Sequence, residues 1–205
     1  MRSYNQYCGL ARSLEIVGDR WNLLIVRQLL IAPARYRDLV EGLPGIATNL
    51  LADRLRHLEA SGVIERRLAG EGSVVEYALT AWGAELRRPI ESLIRWSTPL
   101  MVRGPGGDSF RPEWLVIALP ALLRARVAHT EPVTVGVTVD GETFQISAGP
   151  TGVDAGLPDG RELDATIYAD GMLLLAMASG MVSLDDIRSD IQIEGDEAAV
   201  LKAFG

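Results

Sequence analysis

Cysteine occurs once in 205 residues, as Cys8, so no internal disulfide can form and the chain is expected in the cytoplasm. Histidine occurs twice, as His57 and His129. No His/Cys cluster with metal-ligand spacing exists, and no nucleophile motif, so neither a metal, a cofactor nor an enzymatic role is expected. No phosphate-cradling glycine pattern follows a strand. No run of about eighteen apolar residues is present, which excludes a membrane-spanning helix. The start, MRSYNQYCGLARSL, lacks the apolar core of a signal peptide.

Charge is divided unevenly between the two halves. Residues 1–103 have 14 arginines, no lysine and 11 acidic residues, a net of about +3. Residues 104–205 have six basic and 16 acidic residues, a net of about −10. The whole-chain value of −7 averages over the two. Such asymmetry points to a nucleic-acid-facing first half.

What the first half does have is helical periodicity in short, punctuated segments. Leu10–Val17 reads as a helix. Asp19 is placed to cap a second, Arg20–Leu30, which Pro33 stops. A third, Tyr36–Leu43, turns Leu39, Val40 and Leu43 inward and leaves Arg35 and Arg37 outside. Pro44-Gly45 turns the chain into a fourth helix, where Leu51, Leu55 and Leu58 share one face and Asn49, Asp53, Arg56 and His57 share the other. Arg54 lies nearer the buried side and reads as structural; His57 reads as solvated. Gly62 ends this helix. Strands Val63–Leu68 and Val74–Leu79, around Ala69–Ser73, form a hairpin. Two short helices with a tight turn, then a hairpin, make a winged helix-turn-helix. Any surface helix has a polar face, so this pattern alone does not establish a DNA reader. Thr80 is expected to cap a long helix, Ala81–Met101, kinked at Pro89. Its stripe of Trp82, Leu86, Ile90, Leu93, Ser97 and Leu100 exceeds the needs of a small core and suits a partner subunit.

The words GLARSLEIVGDRW after Cys8, LPGIATNLLADRLRHLEASGVIERR, VEYALTAWGAEL and a terminal helix ending in Arg95-Trp96 follow one another in order. With them, residues 8–101 resemble the HxlR-type winged-helix transcriptional regulators. The resemblance implies a homodimer, held by the N-terminal helix and the Ala81–Met101 helix. One recognition helix per subunit would enter a major groove of double-stranded DNA, with the wings on flanking phosphate. Ala47 stands where the family usually has a capping serine, at a cost of about 1 kcal/mol unless Thr48 substitutes. Glu71 at the wing tip opposes phosphate. Base-edge candidates are Thr48, Asn49 and Arg56, with Asp53 either a base contact or a clamp on Arg56. Phosphate candidates are Arg37, Arg66 and Arg67, and strand alternation lets one of the last two face DNA. Some regulators resembling this family sense oxidants or quinones through a cysteine near Cys8. Arg12, one turn on, is the neighbour able to lower its thiol pKa; the opposing reading is an inert thiol.

The run 103–110, rich in glycine, marks a boundary between residues 1–102 and 111–205. The second half reads as an α+β domain. It comprises a helix Pro112–Ala128 kinked at Pro120, a hairpin of Pro132–Val139 and Glu142–Ala148 around Asp140-Gly141, and a loop to Arg161. Then come a strand Leu163–Tyr168, an apolar helix Gly171–Ser179, a turn at Ser183, a strand Asp190–Ile193 and a helix Asp196–Phe204. The order of these elements, with the Glu-Gly-Asp word before the last helix, resembles sterol carrier protein domains over residues 112–204. That resemblance implies a sheet and helices around an apolar tunnel for a hydrophobic ligand. Trp114, Phe144, Met172, Leu175, Met177, Ala178 and Met181 are the expected wall; plain core is the competing reading. The expected function is a dimeric DNA-binding regulator with a hydrophobic effector. The alternatives are a lipid-binding protein that uses the winged helix for dimerisation, and a redox-responsive regulator acting through Cys8.

Overall fold

A computed structural model describes residues 3–69, 74–101, 104–124 and 131–205. Glu71, His129 and the end of the expected helix Pro112–Ala128 lie outside the described residues. Contacts divide the chain into two units, residues 1–90 and 91–205. The division falls inside a helix, not in the glycine-rich run 103–110 that the composition suggested.

The first unit contains helices α1 (Gly9–Val17), α2 (Asn22–Ile31), α3 (Tyr36–Gly42) and α4 (Thr48–Ala60), strands β1 (Ile64–Leu68) and β2 (Val75–Leu79), and a short helix α5 (Ala81–Ala84). Its core is built from one face of each helix: Ile25, Val26 and Leu29 on α2, Leu39 on α3, and Leu51, Leu55 and Leu58 on α4. Gly45, at φ +88°, makes the turn between α3 and α4. The hairpin β1–β2 is antiparallel, with Ile64 opposite Leu79 and Arg67 opposite Glu76. Ala34 adds a bridge to Tyr77 through two backbone hydrogen bonds of 3.0 and 2.8 Å, which fastens the wing to the loop before α3. Gly83 packs on the turn after α4: a Cβ there would come within 1.9 Å of the Val63 carbonyl oxygen.

Two expectations need correction. Asp19 does not cap α2; that position belongs to Trp21, in the left-handed region at φ +83°. The Asp19 carboxylate is instead engaged by the Arg54 guanidinium of α4. The Arg20 guanidinium lies 5.7 Å from the centre of the Trp21 ring. The helix Ala81–Met101 is not continuous either. It breaks at Glu85-Leu86, whose amides donate to Trp82 and Gly83 carbonyls in tight turns, and resumes as α6 (Arg87–Met101). Pro89 then sits in the first turn of α6, where its missing N–H leaves nothing unpaired.

The second unit has a 3-10 turn Pro112–Trp114, helix α7 (Leu115–Leu123), strands β3 (Val133–Val139), β4 (Glu142–Gly149), β5 (Gly152–Gly156), β6 (Ala165–Tyr168) and β7 (Gln192–Gly195), and helices α8 (Gly171–Ala178) and α9 (Glu197–Phe204). The sheet order is β5-β4-β3-β6-β7; β3 and β6 are parallel and the other pairs antiparallel. Asp140 (φ +51°) and Gly141 (φ +82°) both take left-handed conformations, as a two-residue hairpin turn requires. Residues 152–156, expected as loop, form edge strand β5, whose Val153 and Ala155 point inward.

Register and burial separate the two faces of this sheet. Val135, Val137, Phe144, Ile146, Val153 and Ile167 are buried, with α7 and α9 packed on the sheet. The alternate positions Thr134, Thr138, Thr143, Ser147, Asp154 and Thr166 remain at least partly exposed. One face is core and the other faces water, the usual arrangement for a mainly antiparallel sheet. Asp170 and Asp196 cap α8 and α9, accepting from the amides of Met172 (2.7 Å) and Ala198 (2.9 Å).

Candidate nucleic-acid interface

Helix α4 is held by its leucine face and displays its opposite face. Asn49, Asp53 and Arg56 recur at spacings of four and three residues, and all three are exposed. Asp53 and Arg56 form an ion pair along this line. Thr48 is exposed at the helix start, and its carbonyl accepts a 2.6 Å hydrogen bond from the Tyr36 hydroxyl, which ties the first turns of α3 and α4 together.

Ala47 caps α4 with no side-chain hydrogen bond, and Thr48 does not take its place. The Asn49 side-chain oxygen instead accepts from the Leu50 amide at 2.9 Å. One of the four unpaired N–H groups of the first turn is thereby satisfied from within the helix.

His57 is not simply solvated. Its Nε2 lies 3.0 Å from the Ile16 carbonyl, which also accepts from Asn22 Nδ2 at 2.7 Å. The last turn of α1 is thus joined to α2 and α4. Arg54, paired to Asp19, serves the same packing, as its place near the buried side implied.

The candidate phosphate contacts sit around α4, and each is matched by a carboxylate. Arg37 Nε lies 2.8 Å from Glu41 on α3; Arg66 Nε lies 2.8 Å from Glu59 at the end of α4; Arg67 Nε lies 2.7 Å from the cross-strand Glu76. The bonds to Glu41 and Glu59 raise the pKa values of Arg37 and Arg66 above the ordinary guanidinium value. Sequence reasoning selected the arginines but missed Glu41, Glu59 and Glu76; helical i,i+4 spacing could have shown the first, and hairpin register the last.

Cys8 is exposed at the N-cap of α1. Backbone amides of Ala11 and then Leu10 hold its thiol pKa below the ordinary value. The expected source, Arg12, is instead bound to Glu15 at 3.1 Å.

The proposed ligand wall divides by burial. Phe144, Met177 and Ala178 are buried, Trp114, Met172 and Leu175 are partly covered, and Met181 is exposed. Trp114 meets Phe110 edge-to-face at 6.5 Å. A cavity of about 100 Å³ between the end of α8 and α9 is lined by Met177 of this set, together with Val182, Leu184, Val200 and Phe204. It is small beside the ~300–1,000 Å³ typical of ligand pockets. Among the described residues, no group of three or more His, Cys, Asp or Glu could hold a metal ion, and no helix is long and apolar enough to cross a membrane.

A helix-turn-helix joined to a two-stranded wing defines the winged-helix class. Residues 16–104 match the HxlR-like helix-turn-helix family. The HTH-type transcriptional regulator YodB of Bacillus subtilis is 34% identical over 86 residues, covering 42% of this chain and 77% of that protein. A second B. subtilis protein, the uncharacterised HTH-type transcriptional regulator YvaP, is 34% identical over 88 residues, covering 42% and 82%. The solved reduced form of YodB has a TM-score of 0.41 and 32% identity, over 49% of this chain and 99% of that one. The chain belongs to the HxlR-like helix-turn-helix family, whose relatives here are transcriptional regulators and not enzymes.

Proposed function

We propose that the chain is a dimeric, sequence-selective DNA-binding transcriptional regulator of the cytoplasm. The observation that carries this reading is α4, with its leucine face locked and Asn49, Asp53 and Arg56 turned to solvent beside the arginines of β1. In this reading Thr48, Asn49 and Arg56 meet base edges, Asp53 orients Arg56, and Arg37 with one of Arg66 and Arg67 meets phosphate. Dimerisation uses α1 and the α5–α6 stretch. Leu10 on α1, Trp82 on α5, and Leu93, Trp96 and Leu100 on α6 are exposed large apolar side chains, and they support that assignment.

The second unit is proposed as a sterol-carrier-like domain for a hydrophobic effector. Its support is the element order β6, apolar α8, a 3-10 turn Asp185–Asp190, β7 and α9, together with the partial exposure of Met172 and Leu175. Buried Phe144, Met177 and Ala178 must shift for a ligand of any size to enter. A ligand regulates only if it favours one arrangement of the recognition helices over another. Mass spectrometry of a denaturing extract of the purified chain tests this: a stoichiometric hydrophobic compound supports the effector domain. An empty extract, with no thermal shift from a panel of lipids and aromatics, leaves the unit a structural extension.

A redox-responsive regulator acting through Cys8 is a second reading, favoured by an exposed thiol whose pKa the α1 amides lower. The DNA reading is tested by equilibrium binding. Asn49→Ala is expected to relax preference at one base position, and equal losses on specific and random duplexes would reject Asn49 as a reader.

A further inference from the structure

Resting on the DNA-binding reading above, we propose that Glu59 and Glu76 set how strongly the chain binds DNA of any sequence. Their carboxylates hold the wing arginines Arg66 and Arg67 and compete with DNA phosphate for whichever of the two faces DNA. The two pairs are built alike from different elements. Glu59 reaches from the last turn of α4 to Arg66, and Glu76 reaches across the hairpin to Arg67, its register partner. In both, the acid is the more sheltered member: side-chain exposure is 30% for Glu59 against 57% for Arg66, and 19% for Glu76 against 48% for Arg67. The carboxylates are thus part of the platform, and the guanidinium groups lie over them toward water.

A phosphate that binds either arginine replaces an anion already there. The same phosphate contact is made on random and selected sequences, so the competition costs both the same free energy. Binding to a selected site adds base-edge contacts from α4, which these carboxylates do not oppose. The two acids therefore weaken binding to all sequences and leave the discrimination between them to α4. Each pair is surface-exposed, so the effect per residue is modest.

The test is equilibrium binding of the full chain to a random-sequence duplex and to a duplex enriched from a randomised pool, each at two salt concentrations. The variants are Glu59→Gln, Glu76→Gln and Glu76→Gln combined with Arg67→Ala; circular dichroism checks their folding. The glutamine variant beside the DNA-facing arginine is expected to bind random duplex roughly two- to fivefold more tightly, and the other to leave it unchanged. The slope of log affinity against log salt should steepen by about one per freed arginine. The enriched duplex should gain by the same factor, and any Glu76→Gln gain should vanish when Arg67 is removed. Random binding that neither variant tightens, or a gain confined to one duplex, would overturn the proposal. Wild-type protein that binds neither duplex would overturn the DNA-binding reading as well, a result distinct from wild-type binding with unresponsive glutamine variants.

Discussion

The two units differ in how their cores are built, although both leave large apolar side chains in water, among them Leu93, Trp96 and Leu100 of α6 in the second. In the first, a small core of leucines and isoleucines fixes four helices, and large side chains such as Trp82 and Leu10 are left outside. In the second, α7 is buried at seven of its nine positions, and the sheet face beneath the helices is fully apolar. An exposed stripe invites a partner, whereas a buried one is simply core. The same helical spacing of leucines produces both outcomes, so periodicity alone cannot tell a ligand wall from packing. Polar positions are less ambiguous: the solvent face of α4 and the outer face of the sheet both follow directly from element geometry.

The largest effect that would sharpen this contrast is loss of core volume. Leu55→Ala in α4 should cost about 2–5 kcal/mol and lower the denaturation midpoint of the first unit. An unchanged midpoint would mean that the leucine face of α4 is not packed as described. Next comes charge. Arg67→Ala should weaken selected and random duplexes alike and reduce the salt slope by about one, read from binding isotherms at several salt concentrations. A loss confined to the selected duplex would move Arg67 from phosphate to base.

Chemistry at the two exposed polar sites should be smaller in effect but separable. Alkylation of Cys8 by iodoacetamide should show a pH midpoint below that of an unstructured cysteine peptide, because the Ala11 and Leu10 amides favour the thiolate. A midpoint at or above the peptide value would remove the electrostatic basis for a redox role. In the second unit, Asp159 is held down to about 2 by the Arg161 guanidinium and then by the Gln145 side chain. The folded value lies below the ordinary 3.8, so the contribution of this contact is complete above about 3.8 and is lost as pH falls toward 2. NMR titration of the Asp159 carboxyl checks it, and a midpoint near 3.8 would show the contact to be absent in solution.

Much of the fold was legible because its signals are local. Asp140-Gly141 specifies a hairpin by backbone preference alone. The misses share a cause: a tertiary contact decided the matter. Asp19 looked like a cap, but Arg54, distant in sequence, took its carboxylate. The apolar stripe ran through Glu85-Leu86, and nothing in its spacing marked the break there. Residues 152–156 have two glycines and an aspartate, poor strand formers, and become a strand because β4 offers an edge. At the candidate site, residue types and spacing picked out the polar face of α4. They could not supply the partners of Arg66 and Arg67, which depend on how a helix end and a hairpin meet.

The most direct measurement is selection of duplexes from a randomised pool by the purified chain. The account predicts enrichment of a two-fold symmetric site, with half-sites about 10–10.5 base pairs apart, as a dimer with two recognition helices requires. A pool that stays random while the protein remains folded would contradict it.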